Sequence, residues 1–211
     1  MSTPISELVH EVAIPAGVKP AKPVPFEQTD EYREVIRRQL ACRVRKAGLV
    51  GAYAEASCQM GRDAYKRAMD GRGTYLFGQP GRGKTYAAAA AVRMAVLNGW
   101  KSRLVTSKAL LDAVKAEWDG GEKGTLYRAE RYRLLALDDL GLERPTEWAM
   151  ETITGLIDHR VASGLPTIVT SNYGLGELSD RWGGMPGMRI ASRIGGHCER
   201  IEVTGRDRRL S

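Results

Sequence analysis

The segment from Gly78 to Thr85, GQPGRGKT, limits the folds open to this chain more than any other stretch. Its spacing, G-x-x-x-x-G-K-T, is that of a P-loop, in which backbone N–H groups turn toward an anion, the lysine reaches the β and γ phosphates, and the hydroxyl ligates Mg²⁺. The motif requires a strand before it and a helix after it, and the sequence predicts both, over residues 73–78 and 85–99. The chain is therefore predicted to bind a nucleoside triphosphate together with Mg²⁺.

The loop and the residue after it form the predicted nucleotide contacts, with Thr85 as a metal ligand and Lys84 as a catalytic residue. These contacts are Gly78, Gln79, Pro80, Gly81, Arg82, Gly83, Lys84, Thr85 and Tyr86. The alternative is a glycine-rich turn with a chance lysine. Agreement of strand, loop and helix disfavours it.

Strands and helices are predicted to alternate after the P-loop unit. Strands are predicted over residues 102–106, 133–139, 165–172 and 199–205, the last at a sheet edge. Helices are predicted over 107–118 and 146–164, with short helical pieces at 175–182 and 189–194. This alternation indicates an α/β fold with a five-stranded parallel sheet flanked by helices. With 211 residues and 43% hydrophobic content, the chain fits one domain with one core plus an appendage.

The region before residue 48 has a different character. Residues 1–28 carry five prolines and few large apolar side chains, which predicts a flexible arm. Residues 29–47 predict a basic amphipathic helix, ending near Gly48. Such a helix either packs on the core as a solvated surface helix or docks on a partner protein or nucleic acid.

Charge and cysteine content narrow the class of protein. The net charge of +7 is compatible with a polyanionic partner but does not require one. The three cysteines are widely spaced, which predicts neither a disulfide framework nor a zinc site. The sequence shows neither a secretory signal nor an apolar run of membrane-spanning length, so we expect a cytoplasmic protein without membrane contact.

Two acids follow a buried run, LLALDD, at the carboxyl end of a predicted central strand, where open α/β sheets present ligands. Asp138 is predicted to hold Mg²⁺, directly or through water, and Asp139 to orient or deprotonate the water that attacks the γ phosphate. Alternatively, one of them caps the next turn. Asn172, after the following strand, is predicted to bind the γ phosphate or that water, or else to form a turn before Tyr173.

The segment RIASR places Arg189 and Arg193 four residues apart, on one face of a helical turn. A guanidinium is well suited to neutralise charge in a phosphoryl-transfer transition state. The alternatives are a structural ion pair and a DNA contact.

The segments GQPGRGKT, LLALDDLGLERPTEWAMETITGLIDHR, PTIVTSN, RIASRI and TGRDRRL together resemble the DnaC/DnaI-type bacterial and phage helicase loaders of the AAA+ superfamily. The resemblance extends over about residues 48–211 and implies a P-loop NTPase domain of the AAA+/ASCE type there, with ATP and Mg²⁺ as cofactors. It also implies a Walker A motif at Gly78–Thr85, Walker B at Asp138 and Asp139, sensor I at Asn172 and an arginine finger at Arg193.

The function implied by the resemblance is ATP-dependent loading of a replicative hexameric helicase onto single-stranded DNA, with self-association into a ring or spiral. The alternatives are an IstB-type ATPase partner of a transposase, a metabolic P-loop kinase and a binding module with a silent P-loop. Asp139 replaces the glutamate of most AAA+ ATPases, so we expect slow hydrolysis without a partner. The stretch after Arg193 is too short for a C-terminal lid domain, and the helicase-docking segment is expected within residues 29–47.

A DNA contact is predicted between the second and third strands, where basic residues accompany Tyr127 and Tyr132. Cations would neutralise the backbone and aromatic rings would stack on bases. The predicted contacts are Lys123, Tyr127, Arg128 and Arg131; Lys108, Lys115 and Arg133 accompany them. In the resembling loaders this insert faces the channel of the assembly. The alternative is a pair of solvated helices.

Overall fold

The computed structural model describes residues 30–205. The predicted arm at residues 1–28 and most of the segment TGRDRRL lie outside these residues. Compactness divides the chain into two units, residues up to Arg37 and residues from Arg38 onward, so the boundary falls within the first helix. The described part of the first unit is the start of that helix, where Arg33 and Arg37 pair with Asp30 and Glu34.

The second unit contains a five-stranded, all-parallel sheet, as the sequence predicts. The strands are β1 (Gly73–Phe77), β2 (Ser102–Thr106), β3 (Leu134–Leu140), β4 (Thr167–Ser171) and β5 (Cys198–Glu202). Their order across the sheet is β2-β3-β4-β1-β5. This order places the P-loop strand β1 beside β4, and β4 beside the strand that carries Asp138 and Asp139.

Helices connect the strands and cover both faces of the sheet. They are α1 (Asp30–Lys46), α2 (Gln59–Met69), α3 (Lys84–Leu97), α4 (Ser107–Ala116), α5 (Thr125–Arg131), α6 (Glu147–Ala162), α7 (Leu175–Trp182) and α8 (Gly184–His197). A short 3₁₀ helix, Gly51–Glu55, precedes α2. The Thr106 and Thr146 hydroxyls begin α4 and α6 by accepting hydrogen bonds from the N–H groups of Ala109 and Ala149.

The core forms two layers because successive strand residues face opposite sides of the sheet. In β1, Leu76 packs in the layer that includes α2 and the alanines of α3, whereas Tyr75 packs in the layer of α4, α6 and α8. The alanine-rich α3 lies against the sheet, and Ala88 and Ala91 are fully buried. Both faces of the sheet are therefore covered, and ligands can approach it at the strand ends.

Helices α2, α5 and α8 differ from the prediction; α5 was expected only in the alternative of a pair of solvated helices. No helix was predicted at α2, whose buried positions are Tyr65 and the small residues Gly61, Ala64 and Ala68, with few large apolar side chains to mark the buried face. A Cβ on Gly61 would lie 2.5 Å from that of Ala90, so α2 and α3 pack too closely for a larger residue. Helix α8 is longer than the predicted piece at 189–194, because burial of its isoleucines outweighs its poor helix formers.

A buried arginine fixes the amino ends of β3 and β4. Arg160 of α6 is fully buried, and its guanidinium donates to the Thr167 hydroxyl and to the carbonyls of Ala129, Tyr132 and Pro166, each at 2.7–2.8 Å. Burial lowers the pKa of Arg160 to about 10, which leaves it charged at neutral pH. Arg160 thereby holds the end of α5 against the start of β4.

Between residues 30 and 205, none of the helices has both the length and the apolar character needed to cross a bilayer.

Candidate nucleotide-binding site

The P-loop connects β1 to α3 at the carboxyl edge of the sheet, the edge where the parallel strands end. Gly78, Gly81 and Gly83 all have positive φ, at 133°, 77° and 92°, a region that favours glycine. At Gly78 space is also limiting, since a Cβ there would lie 2.8 Å from the Val203 carbonyl oxygen. The glycine spacing of the motif is thus required by the backbone of the loop itself.

Lys84 lies at the centre of the site. Its side chain is 5% exposed, and its ammonium donates to the carbonyls of Gly78 and Gln79, at 2.7 and 2.9 Å, and to the Asn172 amide oxygen at 2.8 Å. These contacts join the P-loop to the end of β4. The structure therefore brings together two of the predicted site residues, Lys84 and Asn172, through a direct hydrogen bond.

The two acids are held by a threonine of the neighbouring strand. The Thr170 hydroxyl donates to the Asp138 carboxylate at 2.5 Å and accepts from the Asp139 N–H at 3.0 Å. Thr170 is fully buried in β4, next to β3 in the sheet. Thr170 could not be predicted from the sequence, since nothing in the segment PTIVTSN distinguishes it from any other strand threonine before the register of β3 against β4 is known.

Asp138 is buried, and burial is the largest influence on its pKa, which is raised. The nearby Asp139 charge also raises this pKa, while hydrogen bonds from Thr170 and Thr85 and the positive charge of Lys84 lower it. A carboxylate beside a hydroxyl supplies the hard oxygen ligands that Mg²⁺ prefers. Asp138 and Thr85 thus fit the predicted metal site.

Within residues 30–205, no group of three or more histidine, cysteine, aspartate or glutamate side chains is placed to hold a metal ion. Mg²⁺ in nucleotide sites commonly takes one or two protein ligands, and substrate phosphates and water complete its shell. The pair Asp138 and Thr85 matches that kind of site and does not form a dedicated protein cage.

Asp139 has a backbone conformation that its neighbours in the strand do not share. Its φ is 56°, and the β3–β4 pairing shifts register between Leu137 and Leu140. A bulge of this kind interrupts the alternation of side chains between the two faces of the sheet and redirects one of them. Aspartate tolerates this left-handed region better than most residues. The bulge explains how two successive acids in one strand both reach the carboxyl edge.

A second polar group supports the loop after β3. Glu143 is buried; its carboxylate accepts from the Ser107 hydroxyl at 2.6 Å and from the Gly141 N–H at 3.1 Å. The Ser107 hydroxyl also lies 3.2 Å from the Asp139 carbonyl. Ser107 and Glu143 therefore fix the backbone that presents Asp139. Neither was expected from the sequence, because their contact joins residues far apart in the chain.

Other predicted contacts lie at the rim of the P-loop. Gln79 and Pro80 are exposed, and the Arg82 guanidinium donates to the Gln79 side chain at 2.7 Å. The Tyr86 hydroxyl accepts from the Ser57 N–H at 3.3 Å. Tyr86 thus contacts the segment before α2 from the first turn of α3.

The structure does not bring Arg193 to this cluster. The Arg193 guanidinium lies 2.8 Å from the Asp158 carboxylate, and Arg189 lies 3.3 Å from the same group. Arg193 also lines a cavity with Gly73, Thr167 and Cys198, which lie at the amino ends of β1, β4 and β5. The predicted arginine pair does share one helix face, but at the edge of the sheet opposite to the P-loop.

The predicted DNA contacts gather on α5. Tyr127 is 60% exposed, and the Arg131 guanidinium lies 3.5 Å from the centre of its ring. Arg128 is engaged locally with the Lys123 carbonyl at 2.8 Å and with the Glu122 carboxylate at 3.2 Å. The Lys123 side chain is exposed.

The chain matches a known protein family over the part that contains this site. The model of the family described as IstB-like ATP binding protein matches residues 69–211, which include the P-loop, both aspartates and Asn172. The chain belongs to this IstB-like family. Its five-stranded parallel sheet with flanking helices is the core of an AAA+ P-loop ATPase, as expected.

The relatives of this IstB-like protein include helicase loaders. The replicative helicase loader DnaI of Bacillus subtilis (strain 168) is 30% identical over 117 residues, which cover 54% of this chain and 38% of that protein. A crystal structure of DnaI superimposes with a TM-score of 0.62 at 27% identity, covering 70% of this chain and 81% of that one. The crystal structure of the DnaC helicase loader gives 0.60 and 26%, covering 74% and 92%. The chain spans about half or less of the length of the curated relatives it matches.

Proposed function

We propose that this IstB-like protein is an ATP-dependent loader that delivers a replicative hexameric helicase to single-stranded DNA, with ATP binding and hydrolysis as the switch. The observation that carries the proposal is the cluster of Lys84, Asn172 and Asp138 at the carboxyl edge of an AAA+ sheet. Similarity to the loaders DnaI and DnaC supports the choice of partner.

Each residue of the cluster has a role in this proposal. Lys84 binds the β and γ phosphates in exchange for the loop carbonyls that it contacts here. Thr85 and Asp138 would hold Mg²⁺, which would neutralise charge on the phosphates. Asp139 orients the attacking water, and Asn172 binds that water or the γ phosphate. The shorter side chain of Asp139, compared with glutamate, supports slow hydrolysis in the isolated protein.

The position of Arg193 explains why the proposed function requires the chain to self-associate. In one chain it lies at the amino edge of the sheet, and the P-loop lies at the carboxyl edge, so it cannot complete the site of its own chain. A strand of five residues is about 17 Å long, beyond the reach of one arginine side chain. We propose that Arg193 leaves Asp158 and contacts the nucleotide of a neighbouring copy in a ring or spiral.

Two further surfaces are proposed to bind the partners of the loader. The basic helix at residues 29–47 is proposed to dock on the helicase, and the exposed Tyr127 and Arg131 of α5, with Lys123 and Arg128, are proposed to contact single-stranded DNA. All of these partners are found in the cytoplasm, where we propose that the protein acts.

A second function has support from the family itself. Its model is described as IstB-like ATP binding protein, and an IstB-type ATPase partner of a transposase is the alternative that the sequence resemblance left open. The nucleotide site would work in the same way for both functions, so the partner alone distinguishes them.

Size-exclusion chromatography with the cognate helicase, with and without ATP and Mg²⁺, tests the proposal. A loader is expected to co-elute with the helicase and to lose the complex when residues 1–37, which precede the unit that contains the ATPase core, are deleted, while ATP binding measured by fluorescence titration is kept. Co-elution with a transposase but not with a helicase would establish the second function. If the protein does not bind ATP, both functions are wrong.

A further inference from the structure

A groove at the amino edge of the sheet takes no part in the nucleotide site. It has a volume of about 430 Å³ and lies where α1 and α3 end and β2 begins. Its polar and aromatic lining consists of Arg43, Lys46, Trp100, Lys101, Ser102 and Tyr132. Because β2 separates it from the carboxyl edge, it is about 17 Å or more from that edge.

The groove is positively charged without compensation. Arg43, Lys46 and Lys101 are all exposed, and none of the residues lining the groove, all within the described range, is acidic. Among residues 30–205, no carboxylate forms an ion pair with any of these three cations. A concave basic surface concentrates the electrostatic field and attracts anions.

Structural roles account for the guanidinium groups of Arg43 and Arg103 but not for the lysines of this region. Arg43 donates to the Val96 carbonyl at 2.9 Å, and Arg103 donates to the Lys46 carbonyl at 2.6 Å, so both satisfy carbonyl groups at helix ends. The ammonium groups of Lys46 and Lys101 make no comparable contact with another described residue. Two ammonium groups therefore remain available to a ligand.

An aromatic wall adds a flat surface. The Arg133 guanidinium lies 3.8 Å from the centre of the Trp100 ring, and Tyr65 packs against the same indole at a centroid distance of 5.4 Å. Arg133 is an exposed residue, so its guanidinium plane is a candidate surface for a ligand. Nucleic-acid bases stack on such guanidinium planes. Tyr132, half-buried in the groove, offers a second ring.

We propose that this groove binds single-stranded nucleic acid, with phosphates on Lys46 and Lys101 and a base on the plane of Arg133. An acidic peptide would need only the charges, whereas the stacked guanidinium and the aromatic wall suit a ligand that alternates anions with flat rings. The sequence grouped Tyr132 and Arg133 with the predicted DNA contacts, but the structure places Tyr132 in the lining of this separate groove and Arg133 against Trp100, another lining residue. The contact extends the proposed function and does not depend on nucleotide.

The test compares two double variants that lose the same charge. Lys46→Gln with Lys101→Gln removes the groove ammonium groups; Lys66→Gln with Arg200→Gln removes two exposed cations from α2 and β5. Fluorescence anisotropy of labelled oligothymidylate and oligouridylate, without nucleotide and at several salt concentrations, measures binding. We expect the groove variant to bind about tenfold more weakly, with a log-log salt slope reduced by about 1.4, or about 0.7 for each phosphate contact. The control should match wild type.

Two further measurements separate this groove from α5 and from the nucleotide site. Arg133→Lys keeps the charge but loses the plane, so it should weaken binding without changing the salt slope. An oligonucleotide carrying 5-iododeoxyuridine should crosslink to the peptide that contains Tyr132. The groove variant should bind ATP as wild type does, which distinguishes failure of the groove from failure of the ATPase.

Labelled polyglutamate serves as an acidic-peptide probe in the same anisotropy measurement. Three outcomes would overturn the inference. They are no binding of single-stranded nucleic acid by the wild type, equal affinity of the groove variant and the control, or loss of polyglutamate binding by the groove variant with unchanged affinity for both oligonucleotides. The last would assign the groove to an acidic protein partner.

Discussion

The two edges of the sheet use charge in opposite ways. At the carboxyl edge Lys84 and Asp138 are buried, and each is held by specific partners such as Asn172 and Thr170. At the amino edge most cations are exposed. Arg193 shares the Asp158 carboxylate with Arg189, and Lys101 has no ion-pair partner among the described residues.

The contrast follows from the cost of burying charge. A buried ion must be hydrogen-bonded or paired, so its neighbours are constrained in type and position. The spacing of the P-loop and the two successive acids near the end of β3 reflect that constraint in the sequence. An exposed lysine needs no partner, so a functional lysine at the amino edge has no spacing that distinguishes it from a solvated one. The first edge is therefore recognisable from a motif, and the second only from the fold.

The largest expected effect comes from Lys84. Lys84→Ala removes charge-assisted hydrogen bonds to the phosphates, each contributing about 1.5–3 kcal/mol, so affinity for ATP should fall by roughly 10²–10⁴-fold and hydrolysis should stop. Fluorescence titration with a labelled ATP analogue measures the affinity, and Lys66→Ala on the surface of α2 serves as the control. Unchanged nucleotide affinity in Lys84→Ala would show that the carboxyl edge is not the nucleotide site.

Substitution of Arg193 tests whether this residue, at the amino edge of one copy, contacts the nucleotide bound at the carboxyl edge of another copy. Arg193→Ala should lower hydrolysis in the assembled state by on the order of 10³-fold, or about 4 kcal/mol, with ATP affinity of the isolated chain unchanged. Arg189→Ala is the matched control, because both arginines bind Asp158. Steady-state hydrolysis with helicase and single-stranded DNA measures the difference. Equal rates for the two variants would assign both arginines to a structural ion pair.

Arg160 is the exception at the amino edge, since it is a buried cation there. Arg160→Met leaves the carbonyls of Ala129, Tyr132 and Pro166 without their donor, at about 1–3 kcal/mol each, so we expect a loss of about 3–5 kcal/mol in the free energy of unfolding. Thermal unfolding followed by circular dichroism should show a Tm lower by roughly 10 °C. Arg144→Met, at an exposed position, should have almost no effect. A similarly small shift for Arg160→Met would mean that water replaces the guanidinium without cost.

Tyr127 gives the smallest effect. One face of its ring is covered by Arg131, so one base at most can stack on the other face. Tyr127→Ala should weaken binding of single-stranded DNA by about 1–2 kcal/mol, or roughly five- to thirtyfold, while Tyr127→Phe should retain most of the affinity. Anisotropy with ATP present measures both. If the two variants bind alike, the ring is not a stacking platform, and α5 contacts DNA through charge or not at all.

Much of the fold could be predicted from the sequence because short local patterns of apolar and polar residues indicate its strands and helices. The strands at residues 73–77, 102–106 and 134–140 lie within one residue of the predicted bounds, since each is a short apolar run closed by polar or glycine residues. Helix α2 was not predicted, because three of its four buried residues are glycine or alanine, whose packing role is visible only against α3.

The sequence by itself determined the P-loop, the pair Asp138 and Asp139, and the alternation that makes a parallel α/β sheet, because these are properties of neighbouring residues. Only the tertiary structure decided that Thr170 contacts both acids, that Arg193 lies at the edge opposite Lys84, and that Tyr132 lines a groove separate from α5, with Arg133 against the Trp100 ring of that groove. Each of these depends on strand order and register, which bring together residues that no spacing along the chain relates.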